Sequence, residues 1–338
     1  MVDFRLGTVV SSRIRLARNL NGLPFPARLK SDRQAKEIIR SVSAAVNKVD
    51  EFRLYYMDGI SEDEALNLVE NRKISPALLR TPSRSAALIN EKGDISIMIN
   101  EEDHLREQCI SGGLSLRSAY ERMSEKDSLI ARSIPFAYDE QLGYLTACPT
   151  NLGTGLRASV MLFLPALELD CVMPDVIKSV TRLGLTVRGA YGEGTKAKGY
   201  IYQISNEVTL GVTEEAILSQ VESLVGKIVE MEAAERKKLQ GGEVSVVLKD
   251  RCMRAYGILT NCALLTHEEL DDLCADLKLG VCLGYLKCDD IEAIDGLSLK
   301  MKPSNINVLT GRVLDERELD IYRAQQVSQK IKNLVVKC

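Results

Sequence analysis

Several residue types that mark particular protein classes are scarce in this sequence. Its 338 residues include no tryptophan, two histidines and only 5% aromatic residues. The 44 Lys and Arg residues nearly balance the 47 Asp and Glu residues, for a net charge of -3. Nonspecific affinity for nucleic acid arises mainly from excess positive charge. The composition therefore argues against a general polyanion binder, but it leaves room for a local cationic pocket.

Long apolar runs and paired cysteines are also lacking. The longest apolar stretch, around residues 159–167, is too short to span a bilayer and is followed at once by Glu168 and Asp170. The N-terminus, MVDFRL, lacks the apolar core of a signal peptide. Nine cysteines without a C-x-x-C pair are more typical of reduced thiols than of a disulfide framework or a zinc site. These features predict a cytoplasmic protein with no dedicated metal ligands.

The remaining pattern predicts a mixed fold in two parts. Capping boxes, in which a Ser, Thr or Asp is followed three residues later by Glu or Gln, predict helices that begin after Ser31, Ser61, Thr266 and Asp315. Apolar or alternating runs predict strands in residues 87–100, 142–147, 185–188 and 200–204. Thr213 begins a long amphipathic helix that Gly241 and Gly242 should break. We therefore expect a domain of strands and helices over 1–241 and a small all-helical domain over 242–338, in which Gly280 should end one helix.

Two charged segments are candidates for chemistry. In SSRIR, Arg13 and Arg15 have the two-residue spacing that puts both side chains on one face of a strand. Paired guanidinium groups can chelate phosphate oxygens, although a solvated surface strand has the same pattern. In NEEDHLR, the carboxylates around Glu102 could supply a general base, and Arg106 could join a phosphate-binding set. An ordinary acidic turn would also explain that segment.

Two glycine-rich segments are further candidates. In CPTNLGTGLR, the glycines permit a tight loop that carries Cys148 and Arg157, and a nearby cation would make the thiol ionise more easily. The loop matches neither the Walker phosphate loop nor the dinucleotide fingerprint. In RGAYGEGTKAKG, four glycines follow Arg188 and suggest a loop that closes over a ligand, or else a long hairpin connection.

In this order, the segments SSRIR, NEEDHLR and CPTNLGTGLR strongly resemble the motifs of the phosphagen kinase family, also called ATP:guanido phosphotransferases. The resemblance covers about Thr8 to Leu239. It implies an α+β fold, with the family's antiparallel sheet flanked by helices, and the use of ATP together with the cofactor Mg²⁺. By resemblance, Glu102 is the carboxylate that orients and deprotonates a guanidinium, and Cys148 is the reactive cysteine beside it. The same resemblance implies that ATP phosphates are held by Arg13, Arg15, Arg106, Arg157 and Arg188.

Departures from the common pattern indicate which branch of the family the chain resembles. Members that act on small guanidino metabolites carry a helical domain ahead of SSR, which here begins at Ser11. The added C-terminal domain instead resembles the bacterial protein-arginine kinases, and Thr209 stands where small-substrate members tend to have arginine. The phosphoarginine-sensing string of that branch, R-D-x-x-R-A, is altered here because Leu319 replaces its first arginine. Phosphoarginine sensing by the remaining Asp320 and Arg323 is therefore expected to be weak or absent.

The resemblance predicts an ATP-dependent kinase of arginine side chains on proteins. Its implied partners are a zinc-binding activator protein, a stress-gene repressor as substrate, a Clp chaperone-protease and a second copy of the chain. Two alternatives stay open at this point. One is a kinase for free arginine or another small guanidine, and the other is an adaptor that binds phosphoarginine through the C-terminal domain.

Overall fold

The computed structural model describes residues 2–3, 5–189 and 198–337. Its strands are β1 (Val9–Arg18), β2 (Phe52–Tyr56), β3 (Ala86–Asn90), β4 (Ile95–Ile99), β5 (Leu105–Gly112), β6 (Tyr138–Asp139), β7 (Gly143–Tyr144), β8 (Leu156–Phe163), β9 (Leu185–Gly189), β10 (Ile201–Asn206), β11 (Leu286–Cys288) and β12 (Val335–Lys337). Its α-helices are α1 (Asp32–Val46), α2 (Glu62–Glu70), α3 (Leu116–Ser133), α4 (Pro165–Leu169), α5 (Met173–Arg182), α6 (Glu214–Leu239), α7 (Gly242–Asn261), α8 (His267–Cys282), α9 (Ile291–Lys300), α10 (Pro303–Thr310) and α11 (Glu316–Leu334).

The chain divides into two compact units. The sheet unit comprises Ser11–Val160 and Ser205–Ser223, and the helical unit comprises Met1–Val10, Met161–Ile204 and Leu224–Cys338. Helix α6 ends at Leu239 and α7 begins at Gly242, so the predicted helix break at the glycine pair is confirmed. A domain boundary at that break stays a prediction.

Capping side chains begin the helices where the sequence predicts them. Ser31 Oγ accepts a hydrogen bond from the Gln34 amide, and Thr266 Oγ1 accepts one from the Glu269 amide. Asp315 and Glu318 cap α11 reciprocally, each side chain accepting from the other's backbone amide. Such caps satisfy amide groups that have no partner within the helix.

In the sheet unit the strands lie in the order β2-β3-β4-β5-β1, and β8 is the next neighbour of β1. Each pair from β2 to β1 is antiparallel, as predicted for the family's sheet. Ala87, Ile89 and Met98 pack on one face against Leu68 of α2, and α3 packs against β5. The sheet is therefore flanked by helices. Along β1, Ile14 and Leu16 are buried and alternate with Arg13 and Arg15, which share the other face.

Three details of the fold correct sequence predictions. The run predicted as strand over 87–100 forms two strands, β3 and β4, joined by a turn at residues 91–94. Residues 142–147 do not form a continuous strand, because only Gly143 and Tyr144 pair, with Asp139 and Tyr138. Gly280 does not end its helix, since α8 continues to Cys282. A Cβ at Gly280 would lie 2.9 Å from Cys252 Cβ, so the glycine permits α7 and α8 to pack closely. The C-terminal region is helical as predicted, with the short pair β11 and β12 added.

Three ionisable side chains are buried together near β1 and β5. Arg18 donates from Nη2 to Asp127 Oδ2 at 3.0 Å, and both side chains are less than one-tenth exposed. Glu107 is fully buried beside them. Burial, together with the negative charge of Asp127, raises the pKa of Glu107 well above its usual range. These surroundings therefore favour the protonated, uncharged form of Glu107 in the folded protein.

Replacing Glu107 by glutamine tests this protonation state. The unfolded chain releases the Glu107 proton near the ordinary pKa of 4.5, whereas the raised pKa of the folded chain keeps the proton bound to a higher pH. Stability of the native protein should therefore fall as pH rises above that value, with a slope of up to about 1.4 kcal/mol per pH unit. Glu107→Gln should lose this part of the slope. Thermal unfolding between pH 5 and 9 measures this slope, and Glu121→Gln, which changes an exposed glutamate, is the control. Parallel plots of stability against pH for wild type and both variants would contradict the assignment.

Candidate active site

A cluster of arginines lies on one face of the sheet unit. Arg13 and Arg15 come from β1, Arg106 from β5 and Arg157 from β8. Burial, followed by the charges of Arg106, Arg72 and Arg157, lowers the pKa of Arg13 to about 10. Burial and the charge of Arg13, with smaller effects from Arg106 and Arg157, also lower the pKa of Arg15 well below its usual value.

The arginines lower one another's pKa, which shows that the cluster carries an excess of positive charge. Each guanidinium makes the charged form of its neighbours less favourable, so positive charge is in excess over the local negative charge. Arg15 Nε is buried and makes no hydrogen bond among the described residues. An unpartnered buried donor beside clustered cations is an arrangement that an anion with several oxygens would satisfy.

Two glutamates of the acidic turn after β4 have different surroundings. Glu101 is nearly buried and is held by Arg106, with Nη1 2.6 Å from Oε2, and it also accepts from Ser75 Oγ. Glu102 is exposed and makes no hydrogen bond or ion pair within the described part of the chain. Partial burial, then the charges of Asp103 and Glu101, raises the pKa of Glu102. Of these two glutamates, Glu102 is the one whose oxygens are available to a ligand.

The turn itself is held rigidly. Asn100 adopts a left-handed conformation with φ of 58°. Its side-chain amide donates to the backbone carbonyls of Arg84 at 2.9 Å and Ala35 at 3.2 Å. Asparagine tolerates this backbone region better than most residues. The first residue of the NEEDHLR string therefore fixes the direction in which the following glutamates leave the sheet.

Asp103 joins the acidic turn to the loop that carries Cys148. Its Oδ1 accepts from Asn19 Nδ2 at 2.6 Å and from the Ala147 amide at 2.7 Å. Asn19 Nδ2 also donates to the Leu145 carbonyl at 3.0 Å. We call these contacts the Asp103 brace. They hold residues 145–147 away from regular strand pairing and position Cys148, whose Sγ lies 3.1 Å from Thr150 Oγ1.

The glycine-rich part of the CPTNLGTGLR segment packs closely on Thr209. A Cβ at Gly153 would lie 2.3 Å from the Thr209 carbonyl oxygen, and Gly153 has φ of 108°. Thr209 Oγ1 donates to the carbonyls of Leu152 at 2.7 Å and Thr150 at 3.0 Å. Thr209 is buried. It therefore supports the loop through backbone contacts.

These segments enclose a cavity of about 170 Å³ in the sheet unit. Five of the seven sequence-predicted site residues line it, namely Arg15, Arg106, Arg157, Glu102 and Cys148. Arg13 is near enough to affect the pKa of Arg15. Arg188 lies on β9 in the helical unit and is exposed. Most of the glycine-rich segment that follows it, residues 190–197, lies outside the described residues.

Sequence reasoning missed several residues of the cavity. Glu101, Thr150 and Asn151 also line it, as do Asp103 and Gly155. All five lie within the segments NEEDHLR and CPTNLGTGLR, and that position was the only indication in the sequence that they belong to the site. The ion pair between Glu101 and Arg106 could not be predicted, because the sequence gives residue types and does not show which side chains are in contact.

The C-terminal phosphoarginine string has a different environment. Arg323 is buried and donates from Nε to the Met301 carbonyl at 3.0 Å and from Nη1 to the Leu265 carbonyl at 2.7 Å. Its Nη1 also lies 2.6 Å from Asp320 Oδ1. These contacts tie α11 to neighbouring segments of the helical unit. Weak or absent phosphoarginine sensing by this string stays a prediction.

Neither a protein-built metal site nor a membrane span is found in the part of the chain that the structure describes. There, no group of three or more His, Cys, Asp or Glu side chains could hold a metal ion. Over the same residues, no helix is long and apolar enough to cross a bilayer. The eight described cysteines are all free thiols.

Comparison with known proteins matches both parts of the chain to family models. Residues 34–235 match the ATP:guanido phosphotransferase C-terminal catalytic domain, and residues 245–337 match the protein-arginine kinase McsB C-terminal domain. A protein-arginine kinase from Caldanaerobacter subterraneus is 40% identical over 336 residues, which cover 98% of this chain and 99% of that protein. One from Geobacillus stearothermophilus is 41% identical over 329 residues, covering 96% and 90%.

Solved structures show the same fold. The duplicated taurocyamine kinase from Schistosoma mansoni, with bound transition state analog components, aligns with a TM-score of 0.64 and 26% identity. That alignment covers 78% of this chain and 40% of the duplicated kinase. Lombricine kinase aligns with a TM-score of 0.60 and 28% identity, covering 69% of this chain and 67% of that one.

Proposed function

The chain belongs to the ATP:guanido phosphotransferase family, and from this premise we infer that it is an ATP-dependent kinase of arginine side chains on proteins. The observation that carries this inference is the single cavity in which Glu102 and Cys148 lie together with Arg15, Arg106 and Arg157. The match of residues 245–337 to the McsB C-terminal domain and the nearly full-length similarity to protein-arginine kinases support a protein substrate.

We propose that the arginines bind the ATP phosphates and that Glu102 acts as the base. A guanidinium is protonated at neutral pH and is a poor nucleophile. Glu102 would align the target guanidinium and accept its proton while the nitrogen attacks the γ-phosphorus. The N–P bond then forms as the bond to the ADP oxygen breaks. Phosphoryl transfer of this kind depends mainly on in-line positioning and on neutralised oxygens, which the arginine cluster supplies.

Cys148 and Arg188 complete the proposed residue set. A Cys148 thiolate would hold and polarise the substrate guanidinium from beside Glu102. Arg13 and Arg188 are assigned to ATP phosphates on family resemblance.

We propose that Mg²⁺ enters with the nucleotide. The carboxylates nearest the cavity are largely committed, because Glu101 pairs with Arg106 and Asp103 accepts from Asn19 and Ala147. This donor set suits an ion that is held chiefly by phosphate oxygens and water. Bound in that way, Mg²⁺ would neutralise phosphate charge.

The direct test is transfer from labelled ATP to an arginine-rich unfolded protein, with free arginine in a parallel reaction. An acid-labile label on the protein is expected, since N–P linkages hydrolyse in acid and Ser or Thr esters do not. Label on free arginine alone would contradict the protein substrate and favour a metabolite kinase. Absence of label from both, together with binding of phosphoarginine peptides, would favour the adaptor alternative.

Resemblance also supports further assignments that await their own tests. We propose a cytoplasmic protein that functions in the stress response and marks proteins for a Clp chaperone-protease. A zinc-binding activator, a stress-gene repressor as substrate and a homodimer belong to the same proposal. We also propose that residues 1–241 form the catalytic domain and residues 242–338 the C-terminal domain.

A further inference from the structure

A second cavity adjoins the candidate active site within the sheet unit. Its volume is about 520 Å³, against about 170 Å³ for the first. The two cavities share Glu101, Glu102 and Arg106. We call this second cavity the flanking groove; its other lining residues are Pro26, Ala27, Leu29, Ala77, Arg80, Thr81, Arg84 and Asn100.

The walls of the flanking groove are fixed before any ligand binds. Arg84 pairs with Asp32 through Nε and Oδ1 at 2.6 Å and donates from Nη1 to the Leu29 carbonyl at 3.3 Å. Asn100 Nδ2 donates to the Arg84 carbonyl, and Ser85 Oγ donates to the Leu78 carbonyl at 2.7 Å. A preformed groove loses less conformational entropy on binding than a mobile one.

Two of the three arginines that line the groove have a carboxylate partner. Arg84 is paired with Asp32, and Arg106 is paired with Glu101. Arg80 is exposed at the end of the 3₁₀ helix Pro76–Arg80 and makes no ion pair among the described residues. Its guanidinium presents a planar donor set that suits a carboxylate. Apolar wall residues, among them Pro26, Ala27 and Leu29, lie in the same groove.

We propose that the flanking groove binds the substrate polypeptide beside the target arginine and that Arg80 pairs with an acidic side chain of that polypeptide. The proposal rests on the proposed function, because Glu102 is the point where the two cavities meet. A guanidinium that reaches Glu102 belongs to a chain that must continue away from the reaction centre, and the groove starts at that carboxylate. Free arginine carries only its α-amino and α-carboxylate groups beyond the side chain, so it leaves most of such a groove unfilled.

The test uses peptides with one arginine and a single Glu, Gln or Lys placed one to four residues to either side. With the full-length wild-type protein, one position is expected at which Glu gives a lower KM than Gln. Arg80→Glu should raise KM for that Glu peptide roughly fivefold, since an exposed pair contributes little and reversal adds repulsion. The same variant should prefer the Lys peptide, with kcat changed by less than about twofold. Arg40→Glu, an exposed arginine of α1 outside the groove, is the matched control.

The outcomes separate the two proposals. Absence of transfer by the wild-type protein would refute the proposed function. Transfer with the same peptide preference in Arg80→Glu as in wild type would refute the groove alone. A raised KM for ATP instead of peptide would assign the groove to the nucleotide and also overturn the proposal. Reversed preference, with Arg40→Glu unchanged, supports it.

Discussion

Glu102→Gln is expected to lower phosphoryl transfer by about 10²- to 10⁴-fold, the usual contribution of a positioned general base. Glutamine keeps the size of the side chain and can still contact a guanidinium, but it cannot accept the proton that leaves as the N–P bond forms. Glu102 is suited to this role because burial and the nearby charges of Asp103 and Glu101 raise its pKa. A carboxylate with a raised pKa is a stronger base while it remains ionised.

Two measurements separate loss of chemistry from loss of binding in this variant. Single-turnover transfer should fall, whereas titration with a fluorescent ATP analogue should give a nearly unchanged Kd, because the arginines are intact. Glu91→Gln, an exposed glutamate in the turn between β3 and β4, provides the control. Turnover close to wild type in Glu102→Gln would overturn the assignment of the base.

Arg15→Gln is expected to reduce transfer by about 10²- to 10³-fold, the scale of losing one preorganised donor to transition-state charge. The same change should raise the free energy of unfolding without ligand by on the order of 1 kcal/mol, since a buried unpaired charge opposes folding. Burial and the charges of Arg13, Arg106 and Arg157 disfavour the charged form of Arg15 and lower its pKa well below its usual value. Activity and stability are therefore expected to change in opposite directions.

Denaturant unfolding with and without ATP measures both effects. Wild-type protein should gain about 2.7 kcal/mol when ATP is present at 100 times its Kd, and Arg15→Gln should gain much less at the same concentration. Arg15→Lys keeps the charge but loses the planar fork, so it should lose activity without the gain in stability. If Arg15→Gln is less stable than wild type, the buried guanidinium has a structural partner and the cluster is not a site of excess charge.

The elements that sequence predicted best are those specified by local side-chain chemistry. Ser31, Ser61, Thr266 and Asp315 cap helices because each needs only a backbone amide three residues away. The alternation of Arg13 and Arg15 with Ile14 also placed both arginines on one face of β1. Information of this kind lies within a few neighbouring residues.

The predictions that failed depended on distant residues. Residues 142–147 have a strand-like composition, but the Asp103 brace takes up the carbonyl of Leu145 and the amide of Ala147. Gly280 resembles a helix stop because its actual partner, Cys252, is 28 positions earlier in the sequence. Neither contact has a local sequence pattern.

Site residues were predicted from short charged and glycine-rich segments, their roles came from the family resemblance, and those roles stay predictions. The family resemblance singled out Glu102, but residue type alone does not distinguish Glu102 from Glu101, because the two glutamates differ in their partners. The flanking groove was not predicted because its walls come from segments as far apart as Pro26 and Arg106. The volume of a cavity depends on how distant segments pack together, and no short stretch of sequence specifies that packing.

Because of the Asp103 brace, the conformational entropy cost of aligning the reactive groups is met when the protein folds. One carboxylate oxygen binds the amide of Asn19, which follows β1, and the backbone of Ala147, which precedes Cys148. The arginine-bearing strand, the turn that carries Glu102 and the loop that carries the thiol are therefore ordered together when the protein folds. That ordering need not be repeated at each turnover, so more of the binding energy of the substrates remains to lower the barrier to reaction.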